Sequence, residues 1–136
     1  MPLTANRELE RYVDQELRAL PVRTSTRIYK GALVGLDSTT GCVRGLVAGD
    51  AFVGIAYEGV DNTKGASGAA VVKVYTSGDF EHSLASAARA SNGAIVYASA
   101  DDTLTMTATG NSIVGRQIDV PSSGKVIFRI LSTFSK

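Results

Sequence analysis

Glycine is distributed unevenly along this sequence, and its distribution limits the folds that the chain can adopt. None of the 14 glycines precedes Gly31, and all of them lie between Gly31 and Gly124. From about residue 28 onward, short runs of apolar and β-branched residues alternate with turn sequences such as DSTTG, AGD and PSSG. Short strands separated by turns at this spacing are typical of an all-β domain. The sequence therefore predicts a mainly β domain over residues 28–136, preceded by a different kind of segment.

The alternation of apolar and polar residues locates about nine short strands in this domain. Leu104, Met106 and Ala108, for example, share one face of a predicted strand, and threonines occupy the other face. An alanine-rich stretch at 84–93 ends in Asn-Gly, which predicts a short helical turn capped by Gly93. The strands are predicted near residues 32–36, 42–46, 51–58, 69–76, 79–83, 94–99, 103–108, 113–120 and 125–131.

The glycine-containing stretch LVAGDAFVGIAYEGVD is interpreted as a turn that leads into a strand. AGD predicts a tight turn, and the residues after it predict a strand with Val53, Ile55 and Tyr57 on one face. Gly54 and Gly59 indicate a bulge or a close approach of another backbone. A phosphate-binding loop needs a glycine turn that opens onto a helix, and no helical pattern follows. The stretch therefore predicts architecture and no phosphate site.

The first 27 residues are predicted to form a helical arm and a tether. Residues 7–20 read RELERYVDQELRAL, in which apolar residues recur at helical spacing between a possible N-cap at Asn6 and a stop at Pro21. The following PVRTSTR predicts an exposed tether. Because an isolated helix of this length is marginal in water, its apolar stripe must pack on another protein, a sister subunit or the chain's own β domain. The predicted partner-binding residues are Leu9, Tyr12, Val13, Leu17 and Leu20.

Charge and cysteine content exclude several classes of protein. The formal net charge of +1 is too small to attract nucleic acid or an anionic membrane. The single cysteine, Cys42, excludes an intramolecular disulfide and is expected to be a small buried hydrophobic residue. No stretch reaches the roughly 18 apolar residues of a membrane span, and the N-terminal residues lack the apolar region of a signal peptide. We expect a soluble protein made in a cytoplasm.

No group of residues forms a recognisable catalytic, cofactor or metal site. His82, the only histidine, lies in a predicted strand and points away from the face of Ser83. Asp101 and Asp102 are adjacent, as in a hairpin turn, whereas an acid–base pair must converge in space. We therefore expect no enzyme activity, no cofactor and no metal. The remaining enzymatic alternative is a hydrolase that uses His82 with Ser67 or Ser83.

The aromatic residues leave a second alternative open, a β-barrel glycan-binding or adhesion module on a virion or cell surface. The chain has no tryptophan and five tyrosines. Tyr57, Tyr75 and Tyr97 lie in predicted strands, where core or cross-strand packing explains them. A surface that binds glycans or stacks bases usually has a denser aromatic set, so the tyrosines give this alternative little support.

Several motifs occur in a fixed order across the β region. The chain reads GALVGLD, then AGDAFVGIA, an Asp-Asn loop, VKVYTSGDF and, further on, NGAIVYASADDTLTMTATGNSIVGRQIDV. Over about residues 28–131, this order resembles the capsid cement, or head decoration, proteins of tailed phages. The resemblance implies a small β-barrel-like or tulip-shaped domain with no enzyme activity. The predicted helical arm departs from family members that have extended arms, and no binding residues are carried over.

The resemblance also implies a role and a place for the protein. Such proteins add to the outer surface of the mature phage head, commonly as trimers, and clamp adjacent major capsid protein subunits against the pressure of packaged DNA. The expected partner is therefore the major capsid protein, with a homotrimer as the expected assembly. We expect no direct contact with nucleic acid or membrane.

Overall fold

The computed structural model describes residues 17–134, which form twelve strands and one turn of 3-10 helix. This confirms the prediction of a mainly β protein, and each of the nine predicted segments contains a strand. The 3-10 turn, Arg89–Ser91, lies within the predicted helical stretch and is followed by Gly93 with a φ of 91°. The strands are β1 (Leu17–Pro21), β2 (Thr26–Ile28), β3 (Leu33–Asp37), β4 (Cys42–Gly45), β5 (Ala51–Ala56), β6 (Val60–Asn62), β7 (Val71–Tyr75), β8 (Asp79–Ser83), β9 (Ile95–Ala100), β10 (Thr103–Thr105), β11 (Ser112–Ser122) and β12 (Lys125–Ile130).

The strands form two five-stranded antiparallel sheets and one two-stranded sheet. Sheet 1 has the order β1-β7-β5-β3-β4, sheet 2 has the order β10-β9-β11-β12-β8, and β2 pairs with β6. The barrel-like form that the resemblance implied is not shown in the described residues, where neither large sheet is closed and each has two edge strands. A barrel needs a continuous ladder around its circumference. In sheet 1, the ladder between β1 and β4 is replaced by one parallel bridge, Val22 to Val43, after which the chain turns away toward β2.

Sheet 1 lies between two hydrophobic cores. The first core packs sheet 1 against sheet 2, and the second packs sheet 1 against the β2–β6 pair. The first core contains Leu33, Leu46, Phe52, Ile55, Leu84, Val96, Ala98, Leu104, Val114, Val126, Phe128 and Ile130. The second contains Leu20, Val22, Ile28, Ala32, Val34, Val43, Val53, Ala56, Val72 and Val74.

A bulge in β5 distributes its side chains between these two cores. The register between β3 and β5 shifts where Val34 pairs with Gly54 and the next residue of β3 pairs with Phe52. Val53 therefore packs in the second core, while Ile55 packs in the first. The prediction that Val53 and Ile55 share one face is wrong, because an extra residue in a strand inverts the alternation beyond it. The prediction of a bulge or close approach is confirmed at Gly54. It is wrong at Gly59, where a Cβ would meet neighbouring atoms only at ordinary contact distances.

The predicted helix is wrong at its last four residues, 17–20, which belong to β1. This strand pairs antiparallel with β7, from Leu17 opposite Tyr75 to Pro21 opposite Val71. Leu20 is 8% exposed and packs in the second core. Pro21 is tolerated because β1 is an edge strand of sheet 1. Pairing with β7 and burial of Leu20 outweigh a local preference for helix, which is weak in a segment this short. The rest of the predicted helix lies outside the described residues.

The segment 21–27, predicted as an exposed tether, is held against the domain. Val22 and Thr26 are buried, so the prediction is wrong at these two residues. The side-chain amide of Asn62, at the end of β6, also holds this segment in place through hydrogen bonds to backbone carbonyl oxygens. Its Nδ2 lies 3.2 Å from the carbonyl oxygen of Val22, 3.0 Å from that of Arg23 and 3.0 Å from that of Ala66. Residues 17–27 therefore contribute strands and core side chains to the same fold as the residues that follow.

An ion pair joins this segment to β3. Nε of Arg23 donates to Oδ2 of Asp37 at 2.6 Å, and the backbone N–H of Thr39 donates to Oδ1 of the same carboxylate at 3.0 Å. The Thr39 N–H and the Arg23 guanidinium hold the pKa of Asp37 below its ordinary value of 3.8, although burial acts in the opposite direction. The ionised form of Asp37 is thus the one that the folded protein favours.

We expect the Asp37→Asn variant to show a smaller loss of stability in acid than the wild type. Because the folded-state pKa of Asp37 is depressed, its stabilising contribution is present above pH 3.8 and is lost as the pH falls through the lower folded-state pKa. Urea unfolding of both proteins at a series of acidic pH values measures this difference. Equal pH dependence in the two proteins would show that Asp37 does not couple protonation to folding.

Candidate functional site

A concave groove lies where sheet 1 meets the edge of sheet 2. Its walls are the last two residues of β5, Tyr57 directly after that strand, Tyr75 at the end of β7, and Phe80 on the edge strand β8. The groove has a volume of about 520 Å³. We call it the aromatic groove. Its lining is completed by Lys30, Gly31, Glu58 and Gly59.

Three aromatic rings form a continuous row in this groove. The Tyr57 and Tyr75 rings meet edge to face with centroids 5.4 Å apart, and the Tyr75 and Phe80 rings are tilted with centroids 5.5 Å apart. Such pairs contribute roughly 0.5–1.5 kcal/mol each beyond the burial of their surface. Tyr57 remains 43% exposed. The row is therefore ordered by its own contacts and still presents apolar surface to a partner.

The local structure of β8 explains why an aromatic side chain reaches the groove. Along this strand, Phe80 and His82 are partly buried and alternate with exposed residues. β8 pairs only with β12 and lies at the edge of sheet 2. The side chains on its inner face therefore cover only part of the first core, and Phe80 meets Tyr75 of sheet 1 at the boundary.

A second, more polar cleft continues from the aromatic groove and shares Lys30 and Gly31 with it. This cleft has a volume of about 380 Å³. Its other lining residues are Tyr29, Ala32, His82, Asp101 and Asp102. The Tyr29 ring is largely exposed, and the Arg27 guanidinium lies 5.0 Å from its centroid. This cleft, called the acidic end, thus combines the Tyr29 ring with the carboxylates of Asp101 and Asp102.

The acidic end brings together two residue types that can act in catalysis, but without a catalytic arrangement. Burial and the negative charge of Asp102 raise the pKa of Asp101. Nδ1 of His82 lies 3.0 Å from the backbone oxygen of Ser83, and this contact requires a proton on Nδ1 because a carbonyl only accepts. The described residues contain no group of three or more His, Cys, Asp and Glu side chains that could hold a metal ion.

These contacts give no support to the hydrolase alternative. The Ser67 hydroxyl accepts a hydrogen bond from the backbone N–H of Thr24. Ser83 meets the imidazole of His82 through its backbone oxygen. A nucleophile must have its hydroxyl within hydrogen-bond reach of the base, and neither of these contacts places a serine hydroxyl there.

The five residues predicted to bind a partner have different positions. Leu17 begins β1 and is partly buried, and Leu20 is buried in the second core. Leu9, Tyr12 and Val13 lie outside the described residues, so the partner-binding role of the stripe stays a prediction. Cys42 is buried, as predicted. Among residues 17–134, no helix is long and apolar enough to cross a membrane.

No pattern in the sequence marks the groove residues as a site. Tyr57 was predicted to lie inside a strand, whereas β5 ends at Ala56 and Tyr57 is exposed. The Glu-Gly pair directly after Tyr57 is a turn signal that could have shown the early end of the strand. No local signal connects Tyr57 with Phe80, because only the packing of the two sheets brings them together.

Comparison with known families gives one match. The family model for the phage cement protein matches residues 14–131, which includes β1 and every later strand. Searches of the curated proteins and of the solved structures return no significant match. The match extends over most of the chain and agrees with its mainly β structure. The chain therefore belongs to the phage cement protein family, a family of structural components of the phage capsid.

Proposed function

We propose that this protein binds the outside of an assembled phage head and stabilises it by clamping neighbouring major capsid protein subunits. The family match over residues 14–131 is the observation that carries the proposal. The proposal extends the family's capsid role to a specific partner, a specific face of the shell and a homotrimeric assembly. It also includes synthesis in the host cytoplasm and the absence of enzyme activity.

The stabilisation follows from mass action. A protein that binds the assembled, expanded shell and does not bind its separated subunits lowers the free energy of the shell. A trimer that touches several subunits at once gains further avidity, because the second and third contacts form within one complex. Each contact can then be modest in strength, and no bond-making chemistry is needed.

The described residues expose apolar side chains that are suited to such contacts. Besides the two exposed tyrosines of the concave region, Tyr29 and Tyr57, large apolar side chains are exposed at several separate places. A contiguous exposed apolar patch that is rimmed by polar residues is typical of interaction sites, whereas single exposed apolar residues are normal. The aromatic groove also has the shape to receive an apolar chain segment. The further exposed residues are Val47, Val71, Ile113, Ile118 and Phe134.

The exposed tyrosines are the observation that keeps glycan binding as a second candidate function. Glycans stack on exposed aromatic faces, and Tyr29 and Tyr57 are the most exposed aromatic rings near the concavity. However, Arg27 lies over the ring of Tyr29, and Tyr57 packs on Tyr75. Saturable binding in a glycan screen that is lost in Tyr29→Ala would support this alternative.

We expect purified protein to sediment with expanded phage heads and to be absent from the pellet when heads are omitted. Electron-microscopic reconstruction of these complexes should show added density on the outer surface at positions that contact more than one capsid subunit. Unexpanded heads provide the comparison, because the proposed clamp recognises the assembled and expanded lattice. Absence of binding to heads at every stage of maturation would refute the proposed function.

A further inference from the structure

The aromatic groove lies at the point where the chain enters the described fold. Leu17, the first described residue, pairs with Tyr75, the central ring of the groove. Because β1 and β7 are antiparallel, the Leu17 end of β1 lies beside the Tyr75 end of β7. Beyond Tyr75, residues 76–78 lead to β8, which carries Phe80. The first described residue therefore lies beside the groove.

The preceding residues have the length and the chemistry to fill the groove. Val13 lies four residues before Leu17, a distance of at most about 14 Å in an extended chain. Tyr12 and Leu9 lie further back and provide two more apolar side chains, with Glu10 and Arg11 between them. The groove offers apolar rings together with one charge of each sign, at Lys30 and Glu58. An apolar segment interrupted by charged residues thus matches an apolar groove that carries charges.

We propose that residues 9–13 of the same chain dock in the aromatic groove through Leu9, Tyr12 and Val13. The tether favours the chain's own segment over that of a second copy, because a short linker gives an effective concentration in the millimolar range. A contact too weak to hold two separate molecules together is then sufficient. This inference concerns the free protein and does not depend on the proposed function.

A single tryptophan at position 12 tests the proposal in the full-length chain. The sequence contains no tryptophan, so Tyr12→Trp introduces one fluorescent reporter. Docking predicts an emission maximum at shorter wavelength than in the urea-unfolded protein, and slower quenching by acrylamide. Both properties should be independent of protein concentration.

Substitutions in the groove and away from it complete the test. In the Tyr12→Trp background, Tyr57→Ala should move the emission to longer wavelength and increase quenching. Val71→Ala is the matched control, because Val71 is similarly exposed but lies at the opposite end of β7 from Tyr75, and it should leave the emission unchanged. Tyr57→Lys gives a second groove variant, and circular dichroism verifies that each variant is folded.

Four results would overturn the proposal. A tryptophan that is exposed in the free protein would show that the groove is not filled by this segment. A blue shift that appears only at high protein concentration would assign the segment to a second copy. A blue shift that appears only when phage heads are added would assign it to the capsid. A blue shift that both Tyr57 variants leave unchanged would place the segment elsewhere on the domain.

Discussion

The Gly54→Ala variant should lose about 3 kcal/mol or more of its free energy of unfolding, the range reached when a packed interior is overfilled. A Cβ at position 54 would overlap the carbonyl oxygen of Tyr75 and would lie 2.7 Å from Cγ1 of Val74. β5 is a central strand of sheet 1 and carries cores on both faces. The backbone of β7 therefore cannot move away without breaking its own pairing with β5 or β1.

Gly59→Ala provides the matched control for this prediction. The nearest atoms to a Cβ at position 59 are the carbonyl oxygen of Ile28 at 3.5 Å and the amide nitrogen of Lys30 at 3.7 Å, which are ordinary contact distances. Its stability should change by less than about 0.5 kcal/mol. Chemical denaturation monitored by circular dichroism measures both variants. Equal losses would show that close backbone contact at Gly54 is not what makes glycine necessary there.

The Asn62→Ala variant should be destabilised by about 1–3 kcal/mol, because it removes the hydrogen bonds that a buried side-chain amide makes to backbone carbonyl oxygens. Asn62 is 4% exposed. Its side-chain amide nitrogen lies within hydrogen-bond distance of the carbonyl oxygens of Val22, Arg23 and Ala66. These contacts hold the segment after β1 against the loop after β6. Without them, fewer hydrogen bonds join the two segments, although the Gly68 N–H still donates to the carbonyl oxygen of Val22 and the Ala69 N–H to that of Ala66.

Asn111→Ala is the control for Asn62→Ala. The side chain of Asn111 also donates through Nδ2 to a backbone oxygen, that of Thr107, at 2.9 Å, but this bond is exposed to solvent. Water replaces an exposed donor at little cost, so the loss should stay within about 1 kcal/mol. Thermal unfolding compares the two variants. If Asn111→Ala lost as much stability as Asn62→Ala, burial of the Asn62 amide would not be the reason for the destabilisation of the Asn62→Ala variant.

The strands that the sequence predicted are those whose signal is local. In β12 and in the predicted segment 103–108, which contains β10, apolar and polar residues alternate over six residues after a turn sequence, so that nearby residues suffice to locate the strand. β1 lacked such a signal, because LRALP carries no alternation and follows a segment with helical spacing. Its strand conformation depends on β7, more than fifty residues later in the chain. β2 and β6, of three residues each, are too short to show a period.

Neither the directions of the side chains in β5 nor the existence of the aromatic groove could be predicted from the sequence. In both cases the reason is that they depend on pairing or packing between distant strands. The bulge at Gly54 depends on the pairing of β5 with β3, so the sequence could indicate an irregularity and could not tell which core each side chain would enter. The groove joins Tyr57, Tyr75 and Phe80 across two sheets. The groove exists because the edge strand β8 packs beside sheet 1. The residue pattern of a single strand does not predict this packing.

The disruption temperature of expanded phage heads tests the central claim most directly. Heads without this protein should be titrated with the purified full-length chain, and their disruption should be followed by calorimetry. If the protein clamps neighbouring capsid subunits, the disruption temperature rises with the amount bound and levels off when the shell is fully decorated. A disruption temperature that stays unchanged on heads shown to carry the bound protein would contradict the account, because binding would then occur without stabilisation.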